Sequence, residues 1–454
     1  MSQGPGLAGG GRQGDLAPFL NSKVDSTGSP RQPALMNPIR QNARVLTASL
    51  VGTSIEFFDF YIFGTAAALV FGSLFFPAQS SSAQQMAAFM SFGLAFIARP
   101  LGAIAFGHFG DRVGRKATLV SSLMLMGLST VLIGTLPGYA AIGIIAPLLL
   151  CTLRFGQGFG LGGEWGGAAL LAVENAPKGW EARFGAAPQM GAPIGFLFSN
   201  GLFLLLGLSL SQSDFIAWGW RIPFLASAVL VAVGLWIRLR ITETRQFAEA
   251  ATSPVAVPIA EVFSRHLVLL LAASAGVVSC FANFYLSTAF ALSYGTSTLH
   301  LDRQTFLAIQ LGADLFLALG IVLSATAADR YGAKRVIAFG ALLTALVGVI
   351  YAPALLSKSY PVIFAMLALS QLAMGVNYGP LSLWLSQLFP VRVRYTAISL
   401  AFTIGGIIGG ALSPIAAQAL ASTGHMGAVG GLLVVAGLLT LVGLKLARPA
   451  SAAE

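Results

Sequence analysis

Gly107-His-Phe-Gly-Asp111-Arg112-Val-Gly114-Arg115-Lys116 has an echo later in the same chain, Ala328-Asp329-Arg330-Tyr-Gly332-Ala-Lys334-Arg335. Both read Asp-Arg-x-Gly followed by bases, and both interrupt long apolar runs. Self-similarity of this kind comes first in reading a chain, because it reveals the repeating unit of the fold. Outward from the two stretches lie the runs Val45–Phe71, Gln84–Gly107, Ala117–Leu136, Ile142–Leu171, Phe184–Leu208 and Trp220–Leu239. After a more polar break come Leu267–Thr296, Thr305–Ala327, Val336–Leu355, Pro361–Leu388, Ala397–Leu420 and Ala428–Leu446. The first stretch follows the second run, and its echo follows the eighth. Each therefore holds the same place in a set of six.

Many of these runs reach the roughly 20 residues that cross about 30 Å of hydrocarbon. Peptide groups there find no water, so the runs must be helices or strands of a closed barrel. They are too long and too continuously apolar for alternating barrel strands. Composition agrees: 56% of residues are hydrophobic and 9% charged, against roughly a quarter charged in soluble domains. The expected architecture is an all-α membrane protein with twelve transmembrane helices in two six-helix pseudo-repeats. Residues 1–43 are expected to be a disordered cytoplasmic tail, 44–239 the first six-helix bundle and 240–266 a cytoplasmic linker. Residues 267–447 form the second bundle, and 448–454 a short tail.

The net charge of +10 does not imply a nucleic-acid partner, because of where the charge lies. With a cytoplasmic N-terminus, only Arg221, Arg303 and Lys358 fall on the outer side, and Arg99 and Arg154 lie within the membrane. Every other Lys and Arg is inside, as the positive-inside rule requires. This orients both termini to the cytoplasm. The partners expected are the lipid bilayer and a small-molecule substrate, with a monomer as the working unit. Cys151 and Cys280 fall within apolar runs, where cysteine acts as a small hydrophobe.

The motif in the second-to-third loop resembles the signature of the major facilitator superfamily, and the span from about residue 44 to 446 fits that fold. Within it, the chain resembles the metabolite:proton symporters, which import organic acids, shikimate or betaines. The matching stretches begin with Gly52-Thr-Ser-Ile-Glu56-Phe-Phe-Asp59-Phe-Tyr61 and Phe96-Ile-Ala-Arg99-Pro100-Leu-Gly102. They continue with Arg154-Phe-Gly-Gln157 through Gly-Gly-Glu164-Trp165 and with Leu388-Phe-Pro390-Val-Arg-Val-Arg394-Tyr395-Thr396. The resemblance implies alternating access in a bacterial inner membrane, with helices 1, 4, 7 and 10 lining the cavity. It also implies that the loop motif latches the two halves on the cytoplasmic side.

Ionisable side chains deep in a bilayer cost at least a few kcal/mol each, so the few present point to function. Glu56 and Asp59 are three residues apart on helix 1, on one face. Arg154 and Gln157 share a face of helix 4. The cavity lining that the resemblance implies lets Asp59 or Glu56 approach Arg154 from the facing helix. The arginine complements a carboxylate, and the neighbouring acid, Asp59 before Glu56, is the expected carrier of a coupling proton, the only coupling ion invoked. Asn283, Tyr285, Asn377 and Tyr378 are candidate solute contacts, although buried amides equally tie helices together. Arg99, Asp111, Arg112, Arg115, Lys116, Glu164, Asp329 and Arg330 are the candidate gating residues. Asp314, central in helix 8, is weaker, because that helix is not expected to line the cavity strongly.

Other chemistries fail on the residues. Gly158-Phe-Gly160-Leu-Gly162-Gly163 satisfies G-x-G-x-x-G, but no strand or βαβ unit precedes it inside a membrane span. Its four-residue glycine spacings suit close helix contact instead. The chain has no Gly-Lys dipeptide, hence no Walker A loop. Its four histidines show no metal-ligand spacing. No enzyme, cofactor or metal site is expected. The leading expectation is proton-coupled import of a small polar metabolite such as an organic acid. The alternatives are a proton-driven exporter on the same fold and a non-transporting membrane receptor.

Overall fold

Without water to compete for peptide hydrogen bonds, each apolar run closes its own bonds as a helix. The computed structural model describes residues 42–77, 80–113, 115–162, 164–240, 258–391 and 393–448, and no strand occurs among them. We label the crossing helices α1 Ser49–Phe75, α2 Ser81–Val113, α3 Arg115–Thr135, α4 Ile145–Leu161 continued by Glu164–Glu174, and α5 Glu181–Ser209. Then follow α6 Gly219–Trp236, α7 Leu267–Ser297, α8 Arg303–Tyr331, α9 Ala333–Leu356, α10 Tyr360–Ser386, α11 Arg394–Ser422 and α12 Met426–Leu446. Ten of the twelve are individually long and apolar enough to span, with a shorter apolar segment at Val120–Thr135 in α3.

Two boundaries differ from the sequence expectation for a physical reason. The Asp-Arg stretches, expected in loops, continue the preceding helices: α2 runs to Val113 and α8 to Tyr331. The chain then turns at Gly332, whose φ of +89° suits glycine. Helix 4, expected to be continuous, breaks at Gly162, whose ψ of 118° is extended. There α4 presses against α2. A Cβ on Gly162 would stand 2.2 Å from the Arg99 carbonyl, and one on Gly102 would stand 1.9 Å from that of Phe159. No side chain fits between backbones this close, so glycine is required on both helices.

The described residues from Arg44 onward belong to one compact unit. Helix contacts repeat with the sequence. Within the first half α2 packs on α4 and α3 on α6; within the second α8 packs on α10 and α9 on α12. The halves meet along α5–α8 and α2–α11, which are equivalent pairs under the same repeat. Wide π-turns at Ala67–Phe71 in α1 and Leu286–Phe290 in α7 are separated by almost the same stretch as Asp111 and Asp329. The pseudo-repeat therefore extends to local backbone irregularities. Outward faces carry exposed Phe198, Val229, Val268, Leu315 and Val349, the surface a hydrocarbon solvent favours. The linker 241–257 lies outside the described residues, as do the side chains of Asp111, Arg112, Arg115 and Lys116 and with them the latch expected there.

Candidate functional site

Two guanidinium groups share one aromatic ring at the centre of the molecule. Arg154 of α4 is fully buried, its Cζ 4.3 Å from the Phe60 centroid, 4.0 Å from Phe63 and 5.0 Å from Phe92. Arg99 of α2 lies 4.4 Å from Phe60 and 4.8 Å from Phe96. The negative faces of the rings hold the cations where water cannot. Neither arginine takes part in an ion pair among the described residues. Arg154 Nε and Nη2 and Arg99 Nε have no hydrogen-bond acceptor.

Helical spacing supplies the one hydrogen bond Arg154 makes among the described residues. Gln157, a turn further on, accepts from Arg154 Nη1. Its own Nε2 donates to the Asp59 main-chain carbonyl at 2.8 Å and to Thr130 Oγ1 at 2.8 Å. Arg154 is thereby tied to α1 and α3 through an amide. The Asp59 carboxyl points elsewhere: Oδ1 accepts from the Ser227 hydroxyl of α6, and Oδ2 has no partner. The approach of Asp59 to Arg154 suggested by the sequence is not made in this structure. Glu56, half-buried one turn away, acts electrostatically on Arg99.

The opposite half closes this space with aromatic rings. Tyr285 of α7 lies 5.2 Å from Phe92, 5.4 Å from Phe96 and 6.2 Å from Phe60, and Phe284 lies 4.9 Å from Tyr61. The Tyr378 hydroxyl is buried without a partner. Asn283 and Asn377 do not reach the arginines. Asn283 exchanges bonds with Ser370 of α10, and Asn377 donates to Thr344 of α9 at 3.1 Å. Both tie helices of the second half together. Nothing in the sequence pattern set them apart from Tyr285, because helical periodicity identifies a buried face but not the helix it meets.

One end of the interface is fastened by side chains from both halves. Asp329, on the last turn of α8, accepts the Ala182 amide at 2.7 Å and pairs with Arg183 Nε at 2.6 Å. The acid thus caps the positive end of α5. Arg330 is exposed and stacks beside Tyr331. Further in, Trp165 stacks on Phe402 at 3.6 Å and donates to Gln189, whose amide donates to the Tyr378 carbonyl. Glu164 accepts from the Ser122 hydroxyl of α3, and Arg394 meets Glu174 at 3.5 Å. At the far end Gln304 donates to the Gly207 carbonyl at 3.0 Å, and Arg303 stacks on Phe215 at 4.0 Å. No sequence signal marks the aromatic bed of Phe60, Phe63, Phe92 and Phe96, since phenylalanine is common in a membrane span.

This architecture has known counterparts. Residues 49–414 and 275–454 match the Major Facilitator Superfamily model. The chain is 43% identical over 416 residues to the inner membrane metabolite transport protein YhjE of Escherichia coli, covering 90% of this chain and 94% of that protein. It is 38% identical over 382 residues to the shikimate transporter of the same bacterium, covering 83% and 87%. Among solved structures, a partially occluded inward-open form of the xylose transporter XylE from E. coli superposes with a TM-score of 0.71 at 16% identity, covering 87% of this chain and 95% of that one. The chain belongs to the Major Facilitator Superfamily and is a multi-pass membrane transporter.

Proposed function

We propose that the protein is a proton-coupled importer of small carboxylic acids, residing in a cytoplasmic (inner) membrane with both termini inside. One observation carries the substrate class: two buried guanidinium groups at the meeting of the halves present unused N–H donors and, among the described residues, no ion-pair partner. Leaving such donors unsatisfied is unfavourable, and a carboxylate offers two acceptors to a planar guanidinium fork. The relation to metabolite and shikimate transporters supports the same class.

The halves 44–239 and 267–447 rock about this point as rigid bodies, exposing it to each side in turn. Asp329 of α8, paired with Arg183 of α5, fastens the cytoplasmic end, and Asp111 is assigned the matching role on the other half. Asp59 is the proton carrier, with Glu56 the alternative. A carboxylate on the free Nε–Nη2 edge of Arg154 binds the same guanidinium that Gln157 holds through Nη1, and Gln157 is bonded to the Asp59 carbonyl. Solute loading is thereby coupled to the helix turn that bears the acid. The pathway lies within one chain, so a monomer suffices. Purified protein in liposomes tests this reading. Inward-directed proton gradients should drive accumulation of a radiolabelled carboxylate, and sodium gradients should not. Accumulation that follows sodium, or no carboxylate transport at all, would overturn it.

A further inference from the structure

Beyond the arginines, the interior holds a second set of unsatisfied groups with the opposite character. Asp314 of α8 is 2% exposed and its Oδ1 has no partner; Gln371 of α10 is 2% exposed and its Oε1 has none. The two sit at one level. Helices α8 and α10 cross the membrane in the same direction, and a Cβ on Gly375 would stand 2.5 Å from the Leu317 carbonyl. Asp314 precedes Leu317 by three residues and Gln371 precedes Gly375 by four, so both lie one turn along from that contact, on the facing surfaces. Gln310, a turn before Asp314, reaches the Ser287 and Thr288 carbonyls at 2.9 and 2.8 Å, so this face of α8 borders the π-turn of α7.

We propose that Asp314, seconded by Gln371, is a specificity-determining pole for the solute, binding hydroxyl donors at the end opposite the carboxylate. The inference rests on the carboxylate reading above and extends it. Buried donors without acceptors lie in the first half, at Arg99 and Arg154. The unsatisfied buried acceptors of the second half include those of Asp314 and Gln371. A hydroxylated carboxylic acid satisfies both sets at once and bridges the halves. An unsubstituted acid satisfies one set and leaves the buried Asp314 carboxyl oxygen unpaired, a loss that discriminates strongly between ligands. Asp314 thus selects the solute rather than fastening helices.

The test is binding of matched pairs by purified full-length protein: shikimate against benzoate, malate against succinate, lactate against propionate. Wild type should prefer the hydroxylated member of at least one pair by about tenfold or more. Asp314→Leu, which removes the acceptor, should lower affinity for that hydroxylated acid and remove the preference, whereas Asp314→Asn, which keeps one acceptor oxygen, should retain part of it. Binding of its unsubstituted partner should be unchanged, which also reports that the variants are folded. A preference that survives in Asp314→Leu, or equal loss of both partners, overturns the proposal, as does a wild type with no preference in any pair. Failure of the wild type to bind any carboxylate would instead defeat the carboxylate reading, and this proposal with it.

Discussion

Asp329 and Arg183 meet at 2.6 Å, and the acid is 3% exposed while the arginine is 28% exposed. The pair joins the last turn of α8 to the first turn of α5, across the boundary between the two halves. Because the same carboxylate also accepts the Ala182 amide at 2.7 Å, one side chain neutralises both a guanidinium and a helix terminus. Any motion that separates α5 from α8 at this end must break both contacts together.

Asp329→Asn is therefore expected to favour states open at this end by about 1–2 kcal/mol, discounted from a fully buried pair because Arg183 is partly solvated. Ser382 of α10, whose hydroxyl donates to the Gly185 carbonyl at 3.3 Å, reports the opening. A Ser382→Cys probe should react with a maleimide several-fold faster in the Asp329→Asn background. Turnover should fall more than solute affinity, since the pocket is untouched. Unchanged probe reactivity would remove Asp329 from the gate.

A second expectation concerns the glycines that let α2 and α4 touch. Gly102→Ala sets a methyl 1.9 Å from the Phe159 carbonyl oxygen, and backbone cannot move aside as a flexible side chain does. Overpacking of this kind costs about 1–3 kcal/mol or more. Thermal unfolding in detergent should show a midpoint lowered by several degrees. Gly52→Ala, with no neighbouring atom within 4 Å, should leave it nearly unchanged. Equal midpoints for the two variants would contradict the close approach.

Much of this fold was legible because a bilayer leaves the chain few choices. Apolar runs of sufficient length become helices, and the repeated Asp-Arg-x-Gly sets their phase. Helix ends were less legible: the Asp329 turn remains helical because polar residues are as acceptable in a last helical turn as in a loop. The break at Gly162 is set by the backbone of α2, which no local pattern encodes. The same holds at the site. Arg99 and Arg154 stand out as charges in hydrocarbon, but the sequence points Asp59 at Arg154, whereas its carboxyl accepts from Ser227. A residue on α1 faces several helices, and only packing decides that its carboxyl meets Ser227.

At Arg154 a positive charge alone is not expected to suffice. The guanidinium is flat, lies against Phe60, Phe63 and Phe92, and keeps Nε and Nη2 on one edge without acceptors. Lysine offers a point charge on a flexible stem and cannot form two parallel hydrogen bonds. Arg154→Lys should therefore reduce carboxylate transport at least tenfold, and binding should weaken in step. Wild-type kinetics in this variant would reduce Arg154 to a generic cation.

The coupling assignment gives the sharpest separation of outcomes. Asp59 is fully buried, holds the Ser227 hydroxyl on one oxygen and leaves the other without a partner. Asparagine keeps the shape and an acceptor for Ser227 but cannot release or take up a proton. If Asp59 carries the coupling proton, Asp59→Asn should abolish accumulation against a gradient while solute counterflow, which moves no net proton, continues at a measurable rate. Arg154 remains bonded to Gln157 in that variant, so binding should change little. The same assays on Glu56→Gln distinguish the two acids: accumulation should persist there if Asp59 is the carrier. Loss of accumulation in Glu56→Gln with its retention in Asp59→Asn would transfer the role to Glu56. Retention in both variants would show that neither acid of α1 carries the proton, and the link from Arg154 through Gln157 to the Asp59 carbonyl would then serve packing alone.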